Sequence, residues 1–346
     1  MTQEQDGTRG AVSSALLPVR HPNDDFFICD LLDAIPKDDM ASMEHPIFSL
    51  STKPDRRISR YEHNGTTVEI TPSVRGLATI HDKDVLIYCI SQLIAKLNSG
   101  VEASRTLHIK AYDLLVATNR ETSGDGYRRL REALERLRGT SITTNIKTND
   151  ETITEGFGLI DSWRIMRKTD SGRMASVRVT LSEWMYNAIL GREVLTLHRD
   201  YFRLRKPLER RVYEIARKHC GKQDRWQIGL DTLQKKCGSG SPRRVFRAMV
   251  RKLVECDHLP DYSVDLDGEN VVFINRGIDA GDQPDFPTLN AETYNDARGI
   301  AHGYDVYALE RDWLTWWAES GKPELRSPDA AFIAFCKRRY ERNKNY

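Results

Sequence analysis

The sequence predicts an α+β chain in which one unit of helix, strand, helix, turn, helix and β-hairpin is used twice in tandem. Three observations point to it. Helix-period apolar patterns and short β-rich runs follow one another in the same order over residues 82–180 and again over residues 208–274. A Gly/Ser turn precedes the last helix of each unit, Ser123-Gly124-Asp125-Gly126 in the first and Gly238-Ser239-Gly240 in the second. The helices after those turns also share letters. Arg128-Arg129-Leu130-Arg131-Glu132-Ala133-Leu134-Glu135-Arg136 aligns with Arg243-Arg244-Val245-Phe246-Arg247-Ala248-Met249-Val250-Arg251. This order of elements is that of a winged helix-turn-helix.

Residues 1–45 read as a flexible, acidic N-terminal arm, in which Phe26-Phe27-Ile28 and Leu31-Leu32 suggest a short docking helix or a loose segment. Seven Lys/Arg stand against ten Asp/Glu over residues 1–60. The first domain, 46–195, opens with a hairpin over 58–62 and 67–70 around Asn64-Gly65, a strong tight-turn signal. Val85, Leu86, Ile90, Leu93, Ile94 and Leu97 then recur at helical steps in a helix that Gly100 stops. A strand at 107–109, helices at 112–117 and 127–137, and β-rich runs at 142–146, 158–166 and 177–180 follow. In the second domain, 196–278, the helix at 208–219 leads to a strand at 226–228 and a short helix at 231–236. The longer helix 242–256 has Pro242 at its first position, and strands 262–266 and 271–274 flank Asp267-Gly268. Residues 279–346 read as a linker and a small helical tail module around Pro323 and Pro328.

A chain of 346 residues, 39% hydrophobic and 29% charged, is long enough for two domains with real cores. No apolar run approaches the roughly 20 residues that span a bilayer. The polar stretch 1–10 lacks the basic-then-apolar order of a secretion signal. A cytoplasmic protein with no membrane partner is expected. The six cysteines include no C-x-x-C pair, the pattern of reduced thiols. A metal site would need Cys220, Cys237, Cys256 and His258 to converge, at spacings that match no common zinc module. There is no P-loop, no His-apolar-His pair and no His-Glu-x-x-His helix. The expectation is a protein without metal, cofactor or catalytic centre that works by binding.

Net charge is only +2, but basic residues are gathered locally. Residues 199–218 hold eight basic against three acidic, and 337–344 five against one. At 100° per residue, Val245, Phe246, Met249, Val250 and Leu253 share one side of the second candidate recognition helix. Arg244, Arg247 and Arg251 lie opposite, with Arg243 at the edge and Lys252 alongside. Such a helix suits the major groove of double-stranded DNA, where arginine meets guanine edges or phosphate. In the first candidate, Leu130, Ala133, Leu134 and Leu137 form the core stripe. Its outer face mixes Arg128, Arg129, Arg131 and Arg136 with Glu132 and Glu135, which makes the second copy the stronger reader. The second wing is acidic at Asp265 and Glu269, whereas Lys147, Arg164, Arg167, Lys168 and Arg173 suit the first to phosphate. In the tail, Trp316, Trp317, Phe335, Lys337, Arg338 and Arg339 mix aromatic and basic character, as single-strand or partner binding requires. The competing reading of Trp313, Trp316 and Trp317 is a set of core anchors.

Several blocks resemble the plasmid replication initiator protein A family. They are Met43-Glu44-His45-Pro46-Ile47-Phe48-Ser49-Leu50, Tyr61-Glu62-His63-Asn64-Gly65, Gly76-Leu77-Ala78-Thr79 and Ile80-His81-Asp82-Lys83-Asp84-Val85-Leu86-Ile87-Tyr88. Tyr127-Arg128-Arg129-Leu130 and Leu208-Glu209-Arg210-Arg211-Val212-Tyr213 extend the likeness over residues 20 to 340. The resemblance implies tandem winged helices that bind origin repeats (iterons) and start plasmid replication. It also implies recruitment of host replication proteins for helicase loading and, in some relatives, self-repression as homodimers. The last stretch, from Phe332 to Tyr340, is similar to the tail of primosomal single-strand-binding domains. Two other readings are a transcriptional regulator on the same scaffold and, behind it, an enzyme such as a nuclease. The aromatic-basic tail favours the initiator over the regulator.

Overall fold

The computed structural model describes residues 16–21, 27–29, 46–63, 66–98, 103–148, 151–167, 174–190, 195–221, 223–277, 287, 289, 291–301, 306–321, 323, 325 and 327–344. Leu31-Leu32 of the arm, the turn Asn64-Gly65, the helix stop Gly100 and the cations Lys168 and Arg173 lie outside them. The chain forms β1 (Phe27–Cys29), β2 (Ser59–His63), β3 (Thr66–Thr71), α1 (Lys83–Asn98), β4 (Thr106–Lys110), α2 (Ala111–Ala117), α3 (Gly124–Gly139), β5 (Ser141–Thr148), β6 (Glu151–Gly158), β7 (Ile160–Arg167) and β8 (Met174–Leu181). It continues through α4 (Glu183–Leu190), β9 (Leu195–Leu197), a 3₁₀ turn at Arg199–Arg203, α5 (Pro207–His219), β10 (Arg225–Gly229), α6 (Leu230–Cys237), α7 (Arg243–Cys256), β11 (Tyr262–Asp267) and β12 (Asn270–Asn275). Helices α8 (Ala291–Ile300), α9 (Val306–Glu319) and α10 (Pro328–Lys344) follow. The architecture is α+β.

The duplication is topological. One antiparallel sheet has the order β4-β8-β7 and another the order β10-β12-β11. In each, the strand that follows the first helix pairs with the last strand of the closing hairpin. The first unit carries an insertion. Strands β5 and β6 leave α3 and join β2 and β3 in a four-stranded sheet, β2-β3-β5-β6, before β7 and β8 form the hairpin. Phe157 of β6 stacks on Trp184 of α4 at 4.5 Å. The hairpin that closes the first unit is therefore β7–β8. Lys147, expected beside that hairpin, belongs to β5 and the other sheet.

The letter alignment of the two helices is out of register by one. Leu130, Leu134 and Leu137 of α3 are buried, and so are Phe246, Val250 and Leu253 of α7, an offset of 116 rather than 115. A one-residue slip turns a helix face by 100°, so matching letters placed buried Leu130 opposite exposed Val245. Arg128 corresponds to Arg244, Arg131 to Arg247, Glu135 to Arg251 and Arg136 to Lys252.

One continuous hydrophobic core runs from Ile47 to Phe273 through both units, and a second, around Trp313 and Phe332, belongs to the three C-terminal helices. The α1 side chains from Lys83 through Ile90 are buried on all sides, which makes this helix the centre of the first unit. Within the arm, the described residues 27–29 form a strand rather than part of a helix. Phe27–Cys29 pairs antiparallel with Leu195–Leu197. A β-forming triplet beside an open strand edge gains ladder hydrogen bonds that a three-residue helix could not make. Leu16 forms a bridge with Leu204, and Arg20 binds Asn119 and Glu121. The arm thus joins the α2–α3 turn to the connection between the units.

Candidate nucleic-acid interface

Helix α7 begins after Pro242, and α6 before it ends at Gly238 with φ +67°, the left-handed region glycine favours. A Cβ at Gly238 would lie 2.3 Å from the Pro46 ring, so this turn is also pinned against the start of the first unit. Phe246, Val250 and Leu253 face the core. Arg244, Ala248, Arg251 and Lys252 face solvent, and the three cations form no ion pair among the described residues. Two expectations need correction. Val245 is 42% exposed, because it sits about 100° from the centre of the buried stripe, beyond its edge. Arg247 is not free. It donates to the Gly268 carbonyl at 2.7 Å and pairs with Glu269, while Arg243 pairs with Asp231 and Glu269. The acidic turn of the second hairpin thus clasps the start of α7. The Arg243 clasp is solvent-exposed, where water and salt screen ion pairs strongly. A phosphate can replace it, whereas Arg247, three-quarters buried, is held more firmly.

Helix α3 starts at Ser123, whose side chain accepts from the Gly126 amide. Arg128, Arg129 and Arg131 are exposed but engaged along the helix, with Asp125, Glu132 and Glu135. Arg136 is corrected outright. It makes two hydrogen bonds, of 2.6 and 2.8 Å, to the buried carboxylate of Asp82 and holds α3 against the start of α1. Arg128, Arg129, Glu132 and Arg136 line a cleft of about 550 Å³ whose other walls include Arg20 of the arm and Lys53. The outer face of α3 therefore borders a walled cleft.

On the β4-β8-β7 sheet, His108, Arg178 and Arg164 occupy one cross-strand row. His108 and Arg164 are exposed, and the Arg178 Nε has no hydrogen-bond partner among the described residues. Arg178 and His108 escaped the sequence reading because only strand register brings them beside Arg164.

The blocks that carry the family resemblance build something else. Asp84 accepts from Arg210 at 2.6 Å and from Arg120 at 3.0 Å. Lys83 pairs with Glu214 at 3.0 Å under the ring of Phe48, and Arg211 caps α6 through the Lys236 carbonyl at 2.9 Å. Arg210 also donates to the carbonyls of Leu204 and Phe202. Burial, with Arg210 nearby, pulls the His81 imidazole down to about 4. Burial raises the Glu209 carboxyl, but the His258 imidazole 3.2 Å away and hydrogen bonds from Lys206 outweigh it and leave it at about 2. These motifs join the two units.

In the C-terminal helices, Trp313 and Trp317 are core anchors, and the Trp317 indole donates to the Pro323 carbonyl. Trp316 is 46% exposed, with its ring 6.1 Å from that of half-buried Phe335. Lys337, Arg338 and Arg339 are exposed, and Arg339 pairs with Asp312 at 3.2 Å.

Cys220 and Cys237 are buried while Cys256 is exposed, and among the described residues no three His, Cys, Asp or Glu side chains gather as metal ligands. No helix of the described residues is long and apolar enough to cross a membrane.

Comparison with known proteins agrees with these features. The model of the family described as "Replication initiator protein A" matches residues 37–264. A "Putative replication protein" of Wigglesworthia glossinidia brevipalpis is 40% identical over 244 residues, 69% of this chain and 88% of that one. The solved domains 2 and 3 of RctB superpose with a TM-score of 0.51 at 12% identity, over 67% of this chain and 94% of the other, a likeness of fold. With its matched region covering the first repeated unit and most of the second, the chain belongs to the replication initiator protein A family, and its role lies in the initiation of DNA replication.

Proposed function

We propose that this protein starts replication of a plasmid by binding double-stranded DNA at repeats in the origin, using each repeated unit as a winged helix-turn-helix. The observation that carries this reading is the outer face of α7, where Arg244, Arg251 and Lys252 stand free of ion pairs among the described residues. An exposed cation row on a helix preceded by a tight turn and followed by a hairpin is shaped for the major groove. Arg128 and Arg129 of α3 add phosphate contacts, since exposed ion pairs give way to phosphate at little cost. Arg164 on the first hairpin lies beside Arg178 and does the same. The protein acts by binding, recruits host replication proteins for helicase loading, and represses its own promoter through the same face. A plain transcriptional regulator would share the DNA face, but family membership favours the initiator.

Gel-shift titrations on tandem origin repeats and on scrambled duplex, at several salt concentrations, test this reading. Tighter binding to the repeats and a steep loss with salt are expected. A flat salt response, or equal affinity for both duplexes, would count against it. Incubation with supercoiled origin plasmid, Mg²⁺ and ATP is expected to give neither nicks nor phosphate.

A further inference from the structure

The three C-terminal helices have their own hydrophobic core and lie beyond residue 264, where the family match ends. Their outer surface carries a tryptophan that the core does not need. Trp313 and Trp317 fill the interior of α9, and position 316 points outward by helical geometry. A tryptophan there leaves nearly half of its surface to water, so little of its apolar area serves the core. Trp316 lies 46% exposed beside Phe335 of α10. Two to four residues beyond Phe335 come Lys337, Arg338 and Arg339, all exposed. Residues 337–344 hold five basic residues against Glu341. Asp312 of α9 pairs with Arg339 in an exposed contact that a phosphate can displace.

An exposed tryptophan ring next to a cationic helix fits a base stacked on it with the backbone along the charge. Duplex DNA hides its base faces, so the matching ligand is a single strand. We propose that the Trp316–Phe335 face of α9 and α10, with Lys337 and Arg338, binds single-stranded DNA. This rests on the initiator reading only in its setting, for an opened origin exposes such a strand.

Fluorescence anisotropy of a labelled oligothymidylate of about 16 nucleotides, with the full chain at low salt, measures the interaction. Trp316→Ala is expected to weaken binding about tenfold, equivalent to about 1.4 kcal/mol, and Trp316→Tyr to keep most of the affinity. Lys337→Ala is expected to reduce the salt slope by about 0.7. Affinity of Trp316→Ala for duplex origin repeats should stay at the wild-type value. Failure of the wild-type protein to prefer those repeats would sink the proposed function while leaving the oligothymidylate result standing. Oligothymidylate affinity unchanged in both variants overturns this proposal. If Trp316→Ala then also fails to maintain an origin plasmid in cells, the face belongs to a protein partner.

Discussion

Arginines of the same helices divide by burial. Arg136 and Arg251 both looked like DNA contacts in the sequence, yet Arg136 is four-fifths buried on Asp82 and Arg251 is exposed. Removing Arg136 leaves a buried carboxylate unpaired, so Arg136→Ala is expected to lower stability by about 3–5 kcal/mol in urea denaturation. Arg251→Ala should leave the denaturation midpoint unchanged and cut repeat binding by about 1–3 kcal/mol if it reads a base. An Arg136→Ala variant as stable as wild type would undo that assignment. Acid sensitivity is also set at this scale. His81 titrates near 6.5 unfolded and at about 4 folded, so between those values the unfolded chain holds a proton the folded chain lacks. Stability is therefore lost as pH falls through that window, by about 3 kcal/mol at most. Glu209, at about 2 when folded, loses its contribution lower still, from about pH 4.5 downward. Melting curves from pH 7 to pH 4 should slope downward in the wild type and less steeply in His81→Gln; parallel slopes would rule out His81 as the source.

Elements depend on single backbone positions. A Cβ at Gly126 would sit 1.8 Å from the Glu121 carbonyl oxygen, and backbone there cannot swing aside. A Cβ at Gly124, two residues earlier, would meet nothing within 4 Å. Gly126→Ala is therefore expected to destabilise the protein by more than about 1 kcal/mol. Gly124→Ala should be neutral or stabilising, since alanine is the better helix former by up to about 1 kcal/mol. Thermal melts of the two variants check the contrast, and equal melting temperatures would refute it. Both glycines stand in one Ser-Gly-Asp-Gly string, and sequence alone gives no reason to tell them apart.

Across the molecule, the buried ion network makes the two repeated units one body. Asp84 reaches from α1 to Arg210 of α5, and the side chains are 2% and 4% exposed. Asp84→Ala leaves Arg210 buried without its partner and is expected to cost about 3–5 kcal/mol. Adding Arg210→Met should recover part of the loss, because the two changes touch one interaction. Urea unfolding followed by far-UV circular dichroism checks both, and strictly additive losses would deny the coupling.

Sequence alone determined what depends on local periodicity and turn chemistry: the helix, strand, helix, turn, helix and hairpin order of each unit, the apolar stripe of α3 and the family blocks; it had no reading for β6, α4 or β9, and it put Pro242 inside α7 rather than at its N-cap. It could not assign strand partners, because β5 and β7–β8 read alike until one joins β2–β3 and the other closes on β4. Nor could it settle helix register between the units, since arginine-rich letters agree at an offset that the buried faces reject. Tertiary structure decided which charges are free. A carboxylate 54 positions away in the sequence turns Arg136 into a buried tie, and Glu269 clasps Arg243 and Arg247 across a hairpin. Such pairings follow from distance in space, which the spacing of residues along a chain does not encode.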